Sequence, residues 1–179
     1  MNTLDKYLFQ AIDAYPYDLE ETVESLNYAL SYDETNTKAL CLMGQVYAEQ
    51  LKDYETAKSY FQDAIAENIH AIDVYLPYIN TLLWNEDLED AEKLINFAFS
   101  IKGIDKAVMY LKKAHLFEIK QEYKRAIKHL KKAKEFTYNS EFISYLDDEK
   151  SRMKGKMPKK KNKKKKKQKP CSKSKKKKK

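Results

Sequence analysis

Small and apolar residues recur along this chain with a period of 34 to 35 residues, and that period restricts the folds open to it. Small residues stand seven apart in four places: Thr22/Ala29, Ala57/Ala64, Ala91/Ala98 and Ala126/Ala133. The steps between successive pairs are 35, 34 and 35 residues. Three residues before each pair sits a large apolar side chain, Leu19, Tyr54, Leu88 or Tyr123, and just before it an acid, Asp18, Asp53, Asp87 or Glu122. Between the two small residues comes Leu26, Phe61, Ile95 or Leu130. Seven residues make about two helical turns, so each small pair lies on one helix face and lets a second backbone approach closely. The acid falls where a helix begins. There a carboxylate caps free N–H groups and meets the positive end of the dipole.

Each of these helices is preceded by another. Thr3–Tyr15, Lys38–Gln50, Ile72–Trp84 and Lys106–Lys120 carry apolar residues at i, i+3, i+4 and i+7. Pro16, Lys52–Asp53, Asn85–Glu86 and Gln121 mark the turns inside the pairs. Asp33–Asn36, Asn68, Lys102–Gly103 and Asn139 close the units. With only 3 Gly and 4 Pro, folds built from many tight turns are excluded. A helical hairpin cannot bury both faces alone, so neighbouring units must stack. The units are expected at about 3–36, 37–71, 72–105 and 106–139. A capping helix is expected at 140–153, with Ser140 as N-cap and Phe142, Ile143, Tyr145 and Leu146 as its apolar stripe.

The period and residue columns resemble the tetratricopeptide repeat (TPR) family, whose unit is 34 residues long. The second unit carries the resemblance best, in Leu40, Met43, Gly44, Tyr47, Tyr54, Ala57, Phe61 and Ala64. The fourth follows with Tyr110, Ala114, Phe117, Tyr123, Ala126, Leu130 and Ala133, and the third with Tyr75, Ile79, Leu82, Ala91, Ile95 and Ala98. The first unit departs from the pattern at Gln10 and Thr22, and the second has one extra residue at Leu51–Lys52. The family's Pro near the unit end is missing throughout. The resemblance covers Thr3 to about Tyr138. It implies an all-α, right-handed α-solenoid of four hairpins over residues 3–153.

Charge is segregated along the chain. Residues 1–100 hold 5 Lys/Arg and 19 Asp/Glu, residues 101–153 hold 13 and 8, and residues 154–179 hold 17 Lys and no acid. The 154–179 segment is expected to be a disordered poly-Lys tail, because it lacks the apolar surface to offset its ordering entropy. Lys124, Lys128, Lys131 and Lys132 share one helix face. Together with the run Lys163, Lys164, Lys165, Lys166 and Lys167 they offer a surface for polyanions. The competing reading is a solvated Lys face and a tail set by genome composition. The tail has no aromatic residue, so base-specific reading is not expected.

Catalytic chemistry finds no residue set. The three His, His70, His115 and His129, complete no metal or triad spacing. The two Cys, Cys41 and Cys171, form no disulfide framework, which fits a reducing compartment. No cofactor is implied. No apolar run approaches the ~18 residues of a membrane span, and the N-terminus has no secretory pattern. A cytoplasmic location is expected.

The resemblance points instead to a concave groove lined by the first helix of each hairpin. Its matching positions include Tyr7, Lys38, Cys41, Gln45, Asn80, Trp84, Leu111 and His115. Gln45, Asn80 and His115 fall at one repeat position, spaced 35 and 35 residues. Trp84 is the only Trp, and stands either in the groove or in the core. The residues at the positions where some TPR domains clamp a chain-terminal carboxylate are Cys41, Gln45, Pro77 and Lys112, so no such clamp is expected. The expected function is a non-catalytic adaptor that holds a protein or peptide in the groove. The alternative is a nucleic-acid- or ribosome-associated protein, bound without sequence preference through the tail and fourth unit. Partner identity and oligomeric state are not legible in the sequence.

Overall fold

A computed structural model of the chain describes residues 3–158, with side chains from Lys6 onward. The expectations for the Lys runs beyond Pro158, including those for Lys163, Lys164, Lys165, Lys166 and Lys167, lie outside the described residues. Within the described residues the fold is all helical: α1 (Thr3–Ala14), α2 (Leu19–Tyr32), α3 (Thr37–Gln45), α4 (Tyr54–Glu67), α5 (Ile72–Trp84), α6 (Leu88–Ala98), α7 (Lys106–Ile119), α8 (Tyr123–Lys134) and α9 (Ser140–Lys156). A π-helical stretch, Val46–Leu51, continues α3.

The helices pair as α1–α2, α3–α4, α5–α6 and α7–α8, and each second helix packs on the first helix of the next unit. The first helices α1, α3, α5 and α7 also touch in a row. Second helices pack less closely on one another. A stack tighter along one side than the other curves toward the tight side, so the first helices form the concave face.

The repeating columns explain the packing. All eight small residues of the pairs are fully buried, and so are Leu26, Phe61, Ile95 and Leu130 between them. Gly44 belongs to the same contact from the opposite helix. A Cβ there would stand 2.8 Å from the Phe61 ring, so only glycine lets α3 lie this close to α4.

Three hairpin turns share one geometry. Lys52, Glu86 and Gln121 all have φ of 59°, the left-handed conformation that ends a helix. In the third unit the Asp87 N–H donates to the Leu82 carbonyl, five residues back, and in the fourth Glu122 donates to Phe117. In the second unit Asp53 donates to Tyr47, six residues back. The extra residue of that unit is therefore absorbed inside the helix. The π turn takes it up, and the hairpin closes as in its neighbours.

The acid column divides in two. Asp18 accepts from the Glu21 N–H at 3.0 Å and Asp53 from the Thr56 N–H at 3.1 Å, as N-caps. Asp87 and Glu122 make no cap bond, contrary to expectation. Basic neighbours compete for their carboxylates: Lys58 donates to Asp87 at 2.7 Å and Arg125 to Glu122 at 2.6 Å.

The last helix also differs from its expectation. Its N-cap is Asn139, whose side chain accepts from Glu141 and Phe142 N–H groups at 2.9 and 3.0 Å. The buried residues of α9 are Leu146 and Met153, while Tyr145 is exposed. Helix continues to Lys156, three residues past the expected boundary, because buried Met153 and the Lys156–Glu118 ion pair at 2.7 Å anchor its end.

Candidate functional site: the groove and the α8 ridge

The concave face is built where the first helices leave one side uncovered. On α5 that side carries Asp73, Pro77, Asn80 and Trp84, and on α7 Val108, Lys112, His115 and Ile119, each exposed or half-buried. Gln45, half-buried, and Lys38, exposed, extend it onto α3. Asn80 makes no hydrogen bond among the described residues, so its amide is available to a ligand. Trp84 is 48 % exposed and lies under the Lys52 ammonium, which sits 5.8 Å from the ring centroid. The indole is therefore outside the core. Lys112 carries no ion pair among the described residues, and burial pulls its ammonium below the ordinary lysine range.

Cys41 has a structural assignment. Pro77 interrupts α5 without an N–H, so the Asp73 carbonyl, four residues earlier, loses its helical donor. The Cys41 Sγ sits 3.9 Å from that oxygen and supplies a weak one. Burial pushes the thiol up to about 11, so it stays protonated at neutral pH.

Other expected groove residues are used internally. Tyr7 stacks on Tyr28 and Tyr32, with centroids 5.1 and 6.1 Å apart. Leu111 is buried, because α7 turns that face into the stack. His115 bonds Glu149 of α9, Nε2 to Oε2, at 3.3 Å. Burial and Lys112 hold the imidazole below the usual histidine range, so at neutral pH this is a neutral hydrogen bond to a carboxylate. Beside it Glu118 takes Arg152, with guanidinium nitrogens 2.5 and 2.7 Å from its two oxygens.

These α7–α9 partners, His115–Glu149 and Glu118–Arg152, are each 34 residues apart. Tyr15 and Glu49, bridging the end of α1 and the π turn after α3 at 2.6 Å, have the same separation. Helix α9 thus stands where a fifth unit's first helix would, and Glu149 adds a rung beside His115. Sequence reasoning stopped the repeat at Tyr138 and missed it. The 34-residue spacing of those polar pairs was the available signal.

The second surface is the outer face of α8. Lys124, Lys128 and Lys131 lie there, all three exposed, and none has an ion pair among the described residues. Lys132 instead lies over the Tyr110 ring at 5.5 Å. Beneath the ridge, His129 stacks between Tyr110 and Phe117, and its Nδ1 is buried without a partner. Burial first, and then Lys113, Lys132, Arg125 and Lys128, push this histidine down to about 4. The last described residues, Met157 and Pro158, line one shallow pocket with Gln121, Glu122, Tyr123, Lys124 and Arg125. Met157 and Pro158 therefore lie beside the first turn of α8.

Among the described residues no group of three His, Cys, Asp or Glu is placed to hold a metal. No described helix is long and apolar enough to cross a membrane.

The sequence profile of the tetratricopeptide repeat family matches residues 37–68 and 107–139, the second and fourth hairpins. Those two units are tetratricopeptide repeats. Solved structures of low identity share the whole architecture. One is described as the MamA RS-1 ArsTM double mutant, with a TM-score of 0.70 at 13% identity, covering 87% of this chain and 85% of that one. Another is a thermophilic TPR protein of Thermus thermophilus, with a TM-score of 0.67 at 13% identity, covering 85% and 81%. No curated protein sequence matches the chain significantly. At such identities the likeness establishes the fold, and the TPR profile supports a protein-interaction role in general terms.

Proposed function

We propose that the protein is a non-catalytic, cytoplasmic adaptor that holds a partner peptide or helix in the concave groove. The observation carrying this reading is the set of unused recognition groups on one surface. Asn80 has no partner among the described residues, half-exposed Trp84 offers an aromatic anchor, and Lys112 is half-buried without a counter-charge. Hydrogen-bonding groups that a fold leaves idle in a concavity are what an extended chain needs for register. Unpaired Lys112 favours a partner with an acidic side chain opposite it.

The test is capture of partners by the full chain and by Asn80→Ala/Trp84→Ala, with helical circular dichroism as the control for folding. Loss of the wild-type partners with an unchanged spectrum supports the groove. Retention of every partner overturns it.

A second reading is favoured by charge segregation: binding of nucleic acid or ribosomes through the fourth unit and the Lys-rich 154–179 segment. Phosphate contacts there would release counterions, which makes such binding strong at low salt and blind to sequence.

A further inference from the structure

We infer that the outer face of α8 is itself a docking ridge for single-stranded nucleic acid, contiguous with the root of the 154–179 segment. The inference rests on the polyanion reading above and assigns it to structured residues of the body.

The second helices of all four hairpins occupy equivalent places, so their outer faces can be compared residue by residue. The position of Lys124 is held by Glu20, Glu55 and Glu89 in the first three units. That of Lys128 is held by Glu24, Ser59 and Lys93, and that of Lys131 by Asn27, Gln62 and Asn96. Stability explains the acids. In a helix's first turn a carboxylate meets the positive end of the dipole. Lys124 and Arg125 stand in that first turn with the wrong sign. Lys124 and Lys128, four residues apart, repel each other, as do Lys128 and Lys132. The buried column of this helix, Ala126, Leu130 and Ala133, does the same packing as its counterparts. At Lys124 and Lys128 the fold therefore gains nothing from the charge, and within the row only Lys131, in the last turn, suits the dipole.

The shape of the row selects the ligand. Lys124, Lys128 and Lys131 span about 10 Å along one line, a narrow track suited to a few phosphates of one strand. A bilayer is a poor match. Surface-seeking helices present apolar side chains to lipid, whereas the apolar face of α8 is consumed by the core. Past the far end of the ridge, Tyr138 is fully exposed and offers a ring for a base to stack on. At the near end Lys124 and Arg125 share a pocket with Met157 and Pro158, so the Lys-rich sequence that follows Pro158 starts beside the same cationic surface.

The test compares the full chain with its Lys124→Glu/Lys128→Glu/Lys131→Glu variant, and with Tyr138→Ala. The probes are an unstructured RNA 20-mer and vesicles of phosphatidylserine and phosphatidylcholine. The ridge variant should lose roughly 10-fold or more in RNA affinity. Its slope of log K against log salt should flatten by about 2, at ~0.7 per lost phosphate contact. Tyr138→Ala should weaken RNA binding several-fold at unchanged slope. If the ridge variant binds RNA with wild-type affinity and slope, the ridge is overturned while the polyanion reading survives through the 154–179 segment. If neither protein binds RNA at low salt, both fall. Binding to vesicles without binding to RNA overturns the nucleic-acid assignment.

Discussion

Helices α4 and α8 hold the same place in the two units that match the family profile, and they differ only on one side. Inward, Ala57, Phe61 and Ala64 correspond to Ala126, Leu130 and Ala133, all fully buried. Outward, Glu55 of α4 corresponds to Lys124 of α8, and Asp53 caps its helix where Glu122 does not. Stacking dictates the inner face, because each hairpin must fit its neighbours at close backbone distance. Nothing in the stack dictates the outer face. Its sign reversal in the fourth unit is thus free to serve binding.

The largest expected effects test the shared inner face. Phe61→Ala and Leu130→Ala should destabilise by ~3–5 and ~2–5 kcal/mol in chemical denaturation. A much smaller loss for Leu130→Ala would mean that α8 is not stacked as α4 is. Overpacking comes next. Ala57→Leu and Ala126→Leu should each destabilise by ~1–3 kcal/mol, and wild-type midpoints for both would break the repeat alignment.

The caps should separate the two helices. Asp53→Ala removes a bond to the Thr56 N–H and should lower the unfolding midpoint. Glu122→Ala removes no cap bond and should leave it nearly unchanged. Acid titration sharpens the contrast further. His129 is held at about 4 in the fold against an ordinary 6.5, so the unfolded chain binds the proton first. Its stabilising contribution is complete above pH 6.5 and is lost as pH falls toward 4. Thermal midpoints measured across that window should drop for the wild type and drop less for His129→Phe. An unchanged slope in the variant would remove His129 from the account.

Much of this was legible beforehand because close packing is written in residue size. Thr22, Ala57, Ala91 and Ala126 recur at one period, and each is buried where a helix crosses. The hairpin turns at Lys52, Glu86 and Gln121 followed from the same register. The groove was less legible, because its residues are decided by neighbours on other helices. Leu111 reads as a surface position until α7 is docked in the stack. Cys41 reads as groove lining until Pro77 frees a carbonyl beside it. Asp87 and Glu122 read as caps until Lys58 and Arg125 claim their oxygens. The extent of α9 was missed for a related reason. It is held by Glu149, Arg152 and Lys156, polar contacts that a hydrophobic period does not register.

The central claim is that the fold fixes the inner face of the stack and leaves the positive charge in the first turn of α8 without a structural duty. Its most direct test is the denaturation midpoint of the full chain carrying Lys124→Glu, at low salt. Turning the Lys124–Lys128 repulsion into an attraction and restoring an acid to the first turn should hold that midpoint at the wild-type value or raise it. A clear fall would show that Lys124 supports the fold, and would contradict the account.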